Sequence, residues 1–305
     1  MSLAQQLKEQ TAAVKLRRTV FGVRKRLSPT DRRRAADTFH TQQEFLSASK
    51  KLLDTSEPTY KAVTGTIGRA RSYWKSMTVF YPVRGIRLIR KDLIDVFEAQ
   101  MKVFEGKLKS SLDQMCARYS QLKQHAREKL GDLFHQGDYP GVEDLRDEFS
   151  LSWEYPSTEP PDFLKQLNPK LYEQEQQRVA ARFEEALATA EQAMATELQK
   201  LVEGLCDRLA PSDGKKRNLT PSAINGLNEF VARFRQLNVR SGSELESIVT
   251  QAEKLTQGLD PSELKKAPDK QGALFSEIDV LRNQLDQMVV DAPTRKITLT
   301  DEDDE

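Results

Sequence analysis

The chain has 305 residues, of which 30% are charged and 38% hydrophobic, and its 47 basic and 46 acidic side chains almost cancel. This composition excludes a membrane protein, a collagen-like chain and a Gly/Pro-rich disordered chain, and it disfavours an enzyme built on a large apolar core. It favours a protein of long helices whose many charges lie on solvated faces.

The cysteines and the N-terminus predict a cytoplasmic protein. Cys116 and Cys206 fall in helical stretches without a C-x-x-C pair, which is typical of reduced core thiols and not of a disulfide scaffold or a zinc site. Residues 1–26 lack the apolar core of a signal peptide. No stretch approaches the roughly 20 apolar residues that span a bilayer, so we expect no membrane partner.

The N-terminal part of the chain predicts one strand and two helices. Residues 14–23 mix β-branched and aromatic side chains and indicate a strand, and the Leu-Ser-Pro-Thr sequence at 27–30 indicates a turn. A helical pattern follows over about 35–54, and a second helix follows over about 57–76. Phe39, Phe45, Leu46 and Leu53 are the expected apolar anchors of the first of these helices.

The clearest element is a long amphipathic helix over about 91–134, after a structured loop at 77–89. Its apolar residues recur at gaps of three and four with a mean of about 3.6, the period of a straight helix. At about 1.5 Å per residue this helix should be about 65 Å long. The stripe consists of Leu93, Phe97, Met101, Phe104, Leu108, Leu112, Met115, Tyr119, Leu122, Ala126, Leu130 and Leu133.

The rest of the chain predicts one further strand and several helices. Residues 149–155 alternate strictly between apolar and polar side chains and indicate a strand, for which 14–23 is the obvious partner. A proline-rich stretch then separates the chain into two halves. Helical patterns follow over about 170–209, 220–237, 243–259, 261–266 and 271–290.

These elements predict a mainly α protein, with two long antiparallel helices in an extended bundle and a small two-stranded β element near one end. The predicted domains are a basic N-terminal domain over 1–156, a Pro-rich connector over 157–169 and a helical bundle over 170–292. Residues 293–305 end in a run of acidic side chains and are expected to be a disordered tail.

The sequence contains no recognisable catalytic or metal-binding constellation, so we expect a protein that is not an enzyme and has no cofactor. His40, His125 and His135 are scattered, without the spacing of metal ligands. A P-loop, a G-x-S-x-G and a G-x-G-x-x-G are all missing. Gly65 and Gly68 form a lone G-x-x-G, which resembles the clamping loop of KH domains but lies in a helical pattern, where close helix packing is the alternative.

Charge is strongly polarised along the chain. Residues 1–91 hold 20 basic and 6 acidic side chains, a net charge of +14, which leaves −13 for the remainder. Basic residues among aromatic ones can bind nucleic acid, pair with the chain's own acidic half, or contact a protein partner. The candidate anion-binding or partner-binding residues are Arg24, Lys25, Arg26, Arg32, Arg33, Arg34, Arg69, Arg71, Trp74, Lys75, Arg84 and Arg87.

Three segments carry a resemblance to a known family: the Leu-Ser-Pro turn, YPVRGIRLIRKDL at 81–93, and KLGDLFHQGDYPGVEDLRDEFSLSWEYPS at 129–157. By these segments the chain resembles an uncharacterised family of helical proteins from bacteria, phages and other mobile elements, a domain of unknown function. The resemblance implies no catalytic residues. Members of that family are often encoded near a MoxR/CobS-like AAA+ ATPase and a von Willebrand A-domain protein, which implies an accessory role in an ATPase-driven assembly.

The sequence therefore predicts a non-enzymatic helical adaptor or accessory subunit, with an AAA+ ATPase or a von Willebrand A-domain protein as its partner. The chain has no Walker motif, so it would not be the motor. The alternative is a protein that binds DNA or RNA through the basic N-terminal third. A hydrolase subunit whose catalytic residues are not recognisable is a third interpretation.

Overall fold

The fold is mainly α-helical with a small amount of antiparallel sheet, as the sequence predicts. In this computed structural model, residues 2–209, 221–237, 243–257, 259 and 268–290 are described. The predicted helix at 261–266 and the predicted tail at 293–305 lie outside the described residues.

The described residues contain ten α-helices and six strands. The helices are α1 (Leu3–Gln10), α2 (Pro29–Thr38), α3 (Pro58–Ser76), α4 (Ile94–Leu130), α5 (Val142–Asp147), α6 (Phe163–Leu167), α7 (Pro169–Leu209), α8 (Pro221–Leu237), α9 (Ser243–Thr256) and α10 (Pro268–Val290). The strands are β1 (Thr11–Thr19), β2 (Arg24–Arg26), β3 (Ser49–Lys51), β4 (Val79–Phe80), β5 (Ile86–Arg90) and β6 (Ser150–Glu154).

The chain folds into two compact units, and neither is continuous in sequence. The compact units differ from the predicted domains, because α1 and β4 pack against α7, which lies far from both of them in the chain. The first unit comprises 1–12, 78–90 and 157–305, and the second comprises 13–77 and 91–156.

The first unit is a helical bundle around α7. This helix packs against α10, α1 and α8, and its C-terminal half shares one hydrophobic core with α8, α9 and α10. Phe230 and Phe234 on α8 are almost fully buried there and stack with their ring centroids 6.2 Å apart. Toward the other half of α7, the ring of Tyr81 packs on that of Phe183 at 5.2 Å. The buried residues of α7 lie between Val179 and Leu209, mostly three or four positions apart, as in the predicted helical pattern.

The second unit is built on α4, which packs mainly against α3. Its buried residues follow the predicted stripe from Phe97 through Met115 to Ala126. The helix ends at Gly131, whose φ of +52° is a left-handed conformation that glycine adopts without strain. Each of the two long helices thus has its own set of packing partners, and an antiparallel pairing of one with the other stays a prediction.

The predicted strand pair is confirmed, and two further antiparallel pairs accompany it. Strand β1 pairs with β6 in the register Lys15↔Glu154 to Thr19↔Ser150. The guanidinium of Arg17 donates to the Glu154 carboxylate across this pair, with Nη2 and Oε1 2.8 Å apart. Strand β4 pairs with β5 in the segment that we predicted as a loop, and β2 pairs with β3.

Helix α4 and strand β6 are joined by one carboxylate. The Trp153 indole N–H donates to Glu98 Oε1 at 2.5 Å, and the Tyr155 hydroxyl donates to the same oxygen at 2.6 Å. Burial and the neighbouring Glu98 raise the pKa of Tyr155. The adjacent Phe97 is fully buried, with its ring stacked on Tyr73 at 6.0 Å and edge-on to Trp153 at 6.5 Å. The core of the second unit therefore centres on this helix–strand contact.

The predicted helix over 35–54 is wrong. Helix α2 begins at Pro29, inside the predicted turn, because the Ser28 hydroxyl accepts the Asp31 N–H at 3.0 Å and caps the helix. It ends after Thr38, where His40 has a φ of +51° and the Thr41 N–H donates to the Ala36 carbonyl at 3.0 Å. This is a Schellman-type helix end. The chain then returns as β3, which no pattern in the sequence indicated.

Candidate basic surface

Strands β2 and β3 form a ribbon in which all the residues of β2 are basic. The register places Arg24 opposite Lys51 and Lys25 opposite Lys50. Directly opposite residues share a face of a ribbon, and successive residues alternate between faces. Lys25 and Lys50 therefore occupy one face, and Arg24, Arg26 and Lys51 occupy the other. Like charges that lie directly opposite each other destabilise a strand pair, so this ribbon needs an anion.

Asp138 supplies that anion on the first face. Its carboxylate lies 2.7 Å from the Lys25 ammonium and 2.5 Å from the Lys50 ammonium. The Lys50 ammonium also donates to the Leu133 carbonyl at 2.7 Å. Only 3% of the Lys50 side chain and 8% of the Asp138 side chain are exposed. A buried lysine is retained only where its charge is paired, so Asp138 holds the ribbon in place.

The segment that follows α4 also contacts the rest of the ribbon region. The Tyr139 hydroxyl donates to the Leu52 carbonyl at 2.9 Å, and the Tyr139 ring stacks on Phe134 at 5.0 Å. His135 Nε2 lies 3.4 Å from the Asp31 carboxylate at the start of α2. Hydrogen bonds from Ser28 and His135 lower the pKa of Asp31. We call residues 131–139 the anchor segment, because they hold both α2 and β3.

Asp138 should make the second unit sensitive to acid. Burial raises the pKa of Asp138, but the hydrogen bonds from Lys25 and Lys50 outweigh it and bring the pKa below the ordinary value of 3.8. A lowered carboxyl pKa contributes stability that is present above the unfolded-state pKa and is lost as pH falls through the folded-state pKa. We expect the free energy of unfolding to fall below about pH 4.

Urea unfolding followed by tryptophan fluorescence from pH 6 to pH 3 measures this dependence, since both tryptophans, Trp74 and Trp153, lie in the second unit. The Asp138→Asn variant should show a shallower decrease than the wild type, because it has lost one of the groups that takes up a proton. Equal slopes in the two proteins would contradict this role of Asp138.

The outer face of the ribbon is exposed and cationic. Arg24 and Arg26 are exposed, and within the described ranges neither has a carboxylate at salt-bridge distance. Helix α2, which follows β2 in the chain, carries Arg33 and Arg34, which are exposed as well. We call Arg24, Arg26, Lys51, Arg33 and Arg34 the basic surface. Their mutual repulsion is relieved when an anionic partner binds, and phosphate groups are strong partners for guanidinium groups.

The remaining predicted residues have different environments. On α2, Arg32 is half-buried. On α3, Lys75 and Arg69 are exposed, and the Arg69 guanidinium donates to the Thr66 hydroxyl at 3.0 Å. Arg71 on the same helix is half-buried. Trp74 has only 8% of its surface exposed and belongs to the core of the second unit, so its ring is not available for stacking on a partner.

Arg84 and Arg87 belong to the first unit and not to the basic surface. Arg84 is exposed. The Arg87 guanidinium donates to the Thr78 hydroxyl at 2.7 Å and to the Thr78 carbonyl at 2.9 Å. Burial lowers the pKa of Arg87 to about 10. Arg87 therefore stabilises the β4–β5 hairpin.

The G-x-x-G sequence lies inside α3, so Gly65 and Gly68 form no loop that could clamp a phosphate backbone. A Cβ placed on Gly68 would meet no atom within 4 Å, and one on Gly65 would meet only the Arg69 side chain of the same helix. Neither the KH-like interpretation nor close helix packing fits these positions.

In the described ranges, no group of three or more His, Cys, Asp or Glu side chains is placed to hold a metal ion. None of the helices in those ranges combines the length and the apolar character needed to cross a bilayer.

Sequence reasoning missed the residues that position the basic surface. Lys50 and its acceptor at Leu133 are 83 positions apart, so no local pattern links them. Asp138 does lie in the 129–157 segment on which the family resemblance rests. The Gly-Asp-Tyr-Pro turn in that segment was the sequence feature that could have pointed to Asp138. Phe39 and Phe45, expected as buried helix anchors, are instead 73% and 82% exposed.

Comparison of the chain with protein-family models, with curated proteins and with solved structures finds no match in any of the three.

Proposed function

We propose that this chain is a non-enzymatic helical adaptor that binds an anionic partner on its basic surface. The observation that supports the proposal is the division of charge across the ribbon. Asp138 pairs with Lys25 and Lys50 on one face, while Arg24 and Arg26 on the other face have no acidic partner among the described residues. Acidic side chains in the described part of the chain therefore do not pair with Arg24 and Arg26, so these two arginines are accessible to an anionic group of another molecule.

The adaptor acts, in this proposal, as an accessory subunit of a bacterial or phage assembly driven by a MoxR/CobS-like AAA+ ATPase in the cytoplasm. The family resemblance of the 81–93 and 129–157 segments supports this part, since the ATPase and a von Willebrand A-domain protein accompany that family. Two compact units in one chain suit an adaptor, because they offer separate surfaces to separate partners.

Charge reversal on the ribbon tests the binding site. We expect the Arg24→Glu/Arg26→Glu double variant to bind heparin, a generic polyanion, at least about 10-fold more weakly than the wild type in 50 mM salt. The slope of the plot of log Kd against log salt concentration should become shallower by about 2, since two ionic contacts are lost. Fluorescence anisotropy with labelled heparin measures both quantities.

The matched control is Lys102→Glu/Lys109→Glu, which reverses two exposed basic residues on α4, away from the ribbon in sequence. It should bind heparin as the wild type does. If the two double variants lose affinity equally, the protein attracts polyanions through its overall charge and the ribbon is not a site.

Co-purification of the tagged full chain with a MoxR/CobS-like ATPase from the same genome tests the assembly. We expect a stable complex with the wild-type chain. If the basic surface contacts the ATPase, the Arg24→Glu/Arg26→Glu variant should lose this complex. If the first unit contacts the ATPase, the variant should retain it. Recovery of no complex with either the ATPase or the von Willebrand A-domain protein would contradict the accessory role.

A further inference from the structure

Two phenylalanines next to the basic surface are unusually exposed. Phe45 has 82% of its surface exposed, the largest value for any large apolar side chain among the described residues, and Phe39 has 73%. Phenylalanine is among the residues most often buried, and single exposed apolar residues need no explanation. Two such rings within the short segment that also carries the exposed arginines of the basic surface do need one.

Hydrogen bonds fix the course of the segment between β2 and β3 that carries both rings. Residues 27–48 form the segment that connects β2, which ends at Arg26, to β3, which begins at Ser49. The Leu27 N–H donates to the Ala48 carbonyl at 3.1 Å and closes its base. The Gln43 side-chain amide donates to the Pro29 carbonyl at 3.2 Å, which places the turn that carries Phe45 against the start of α2.

Phe39 occupies the other end of the same helix. It is the C-terminal cap residue of α2, one position before His40, whose left-handed φ of +51° turns the chain away from the helix axis. The Phe39 N–H itself donates to the Ala35 carbonyl at 3.3 Å. Arg33 and Arg34 lie in the preceding turns of α2. The segment that connects β2 to β3 therefore has an exposed phenyl ring at each end of α2, the helix that carries the exposed guanidinium groups of Arg33 and Arg34.

Exposed guanidinium groups combined with exposed aromatic rings match one ligand chemistry closely. A single polynucleotide strand offers phosphates for the arginines and unstacked bases for the rings, and every base has a π-face on which phenyl groups stack. A duplex keeps its bases stacked on each other and offers only phosphates at this kind of surface. An acidic peptide would satisfy the arginines but would leave both rings in water.

We propose that the basic surface, together with Phe39 and Phe45, is a binding site for single-stranded DNA. The inference rests on the proposed function, because it names the anionic partner of that surface. Thymine-containing DNA is the form expected over uracil-containing RNA, because the thymine methyl group adds an apolar contact to a phenyl ring and neither phenyl nor guanidinium groups require a 2′-hydroxyl group. The arginines set the salt dependence of binding, and the rings set the preference for a single strand over a duplex.

Fluorescence anisotropy of the full chain with a fluorescein-labelled oligo-dT of about 15 nucleotides, within the range of site sizes known for such grooves, tests the site. In 50 mM salt we expect the single variants Phe39→Ala and Phe45→Ala each to weaken binding by about 5-fold to 150-fold, because each loses one base–aromatic stack. The Phe45→Trp variant should retain binding, since an indole ring also stacks on a base.

Two controls separate stacking from loss of fold or of apolar surface. Phe163→Ala removes a ring that is 59% exposed on α6 of the first unit and should leave the affinity for oligo-dT unchanged. Far-ultraviolet circular dichroism of each variant should match that of the wild type, because the substituted rings are largely in water. Parallel titrations use duplex DNA, oligo-U RNA and polyglutamate as competing anions.

The expected result is tighter binding of oligo-dT than of the duplex, the RNA or polyglutamate, with both rings required. Unchanged affinity in the Phe39→Ala and Phe45→Ala variants, or tighter binding of any competing anion, would overturn the inference. If the inference is overturned in this way but the Arg24→Glu/Arg26→Glu variant still binds heparin more weakly than the wild type, the proposed function is retained and only the assignment to single-stranded DNA fails. Absence of binding to every polyanion at low salt would overturn both.

Discussion

Replacing Asp138 by Asn is expected to lower the free energy of unfolding by about 3–5 kcal/mol, the usual cost of breaking a buried ion pair. The substitution keeps the size of the side chain but leaves the Lys50 ammonium, 3% exposed, without its counter-charge. It also restores the repulsion between Lys25 and Lys50, which lie directly opposite each other on the ribbon. Urea unfolding at pH 7, followed by tryptophan fluorescence, measures the change.

Asp132→Asn is the matched control, because Asp132 lies in the same anchor segment but is exposed and has no salt bridge among the described residues. It should change the free energy of unfolding by no more than about 0.5 kcal/mol. The double variant Asp138→Asn/Lys50→Met should recover most of the lost stability, since an apolar side chain leaves no stranded charge. If Asp138→Asn is as stable as Asp132→Asn, the pair does not hold the ribbon.

The functional consequence follows from the same contact. Because the Asp138 pair fixes which face of the ribbon points outward, its loss should also weaken heparin binding, although no residue of the basic surface has been changed. Lost stability together with weakened binding is the expected result, whereas lost stability with unchanged binding would contradict the role of Asp138 in presenting the surface.

Replacing Phe97 by Ala is the second substitution with a large expected effect, a loss of about 3–5 kcal/mol in the free energy of unfolding. The ring is fully buried between Tyr73 on α3 and Trp153 on β6, so its removal leaves a cavity where three elements meet. The lost ring contacts add to the cost of the cavity. Tryptophan fluorescence is a direct probe, since the indole of Trp153 contacts the missing ring.

Val96→Ala is the control on the adjacent position of α4. Val96 is 57% exposed, and its truncation should change the free energy of unfolding by no more than about 0.5 kcal/mol. A cost below about 1 kcal/mol for Phe97→Ala would mean that the helix–strand contact is not the centre of this core.

The elements that the sequence predicts well are those whose burial repeats at a regular interval. The buried residues of helices α4 and α7 recur mostly three or four positions apart, and the observed ends, Ile94–Leu130 and Pro169–Leu209, lie close to the predicted ones. The strand pair β1–β6 was also found, because each strand presents a two-residue alternation along its own length.

The elements that the sequence predicts poorly are short and polar. Strands β2 and β3 have three residues each and read Arg-Lys-Arg and Ser-Lys-Lys, without any apolar alternation to mark them. Their helical neighbour was predicted too long for the same reason, since Phe39 and Phe45 have the spacing of helix anchors but no core against which to pack. For Trp74 the error is the opposite one: we predicted an exposed binding residue because its neighbours in sequence are basic, but Trp74 is buried on α3.

The sequence by itself determined the helical character of the chain, its two long amphipathic helices, one strand pair and a polarised distribution of charge. These properties depend on residues that are near one another in the chain, so pattern alone reveals them. Only the tertiary structure decided which basic residues face water. That choice depends on Asp138, which lies far along the chain from Lys50 and pairs with its buried charge, because a buried ammonium group is stable only beside a carboxylate.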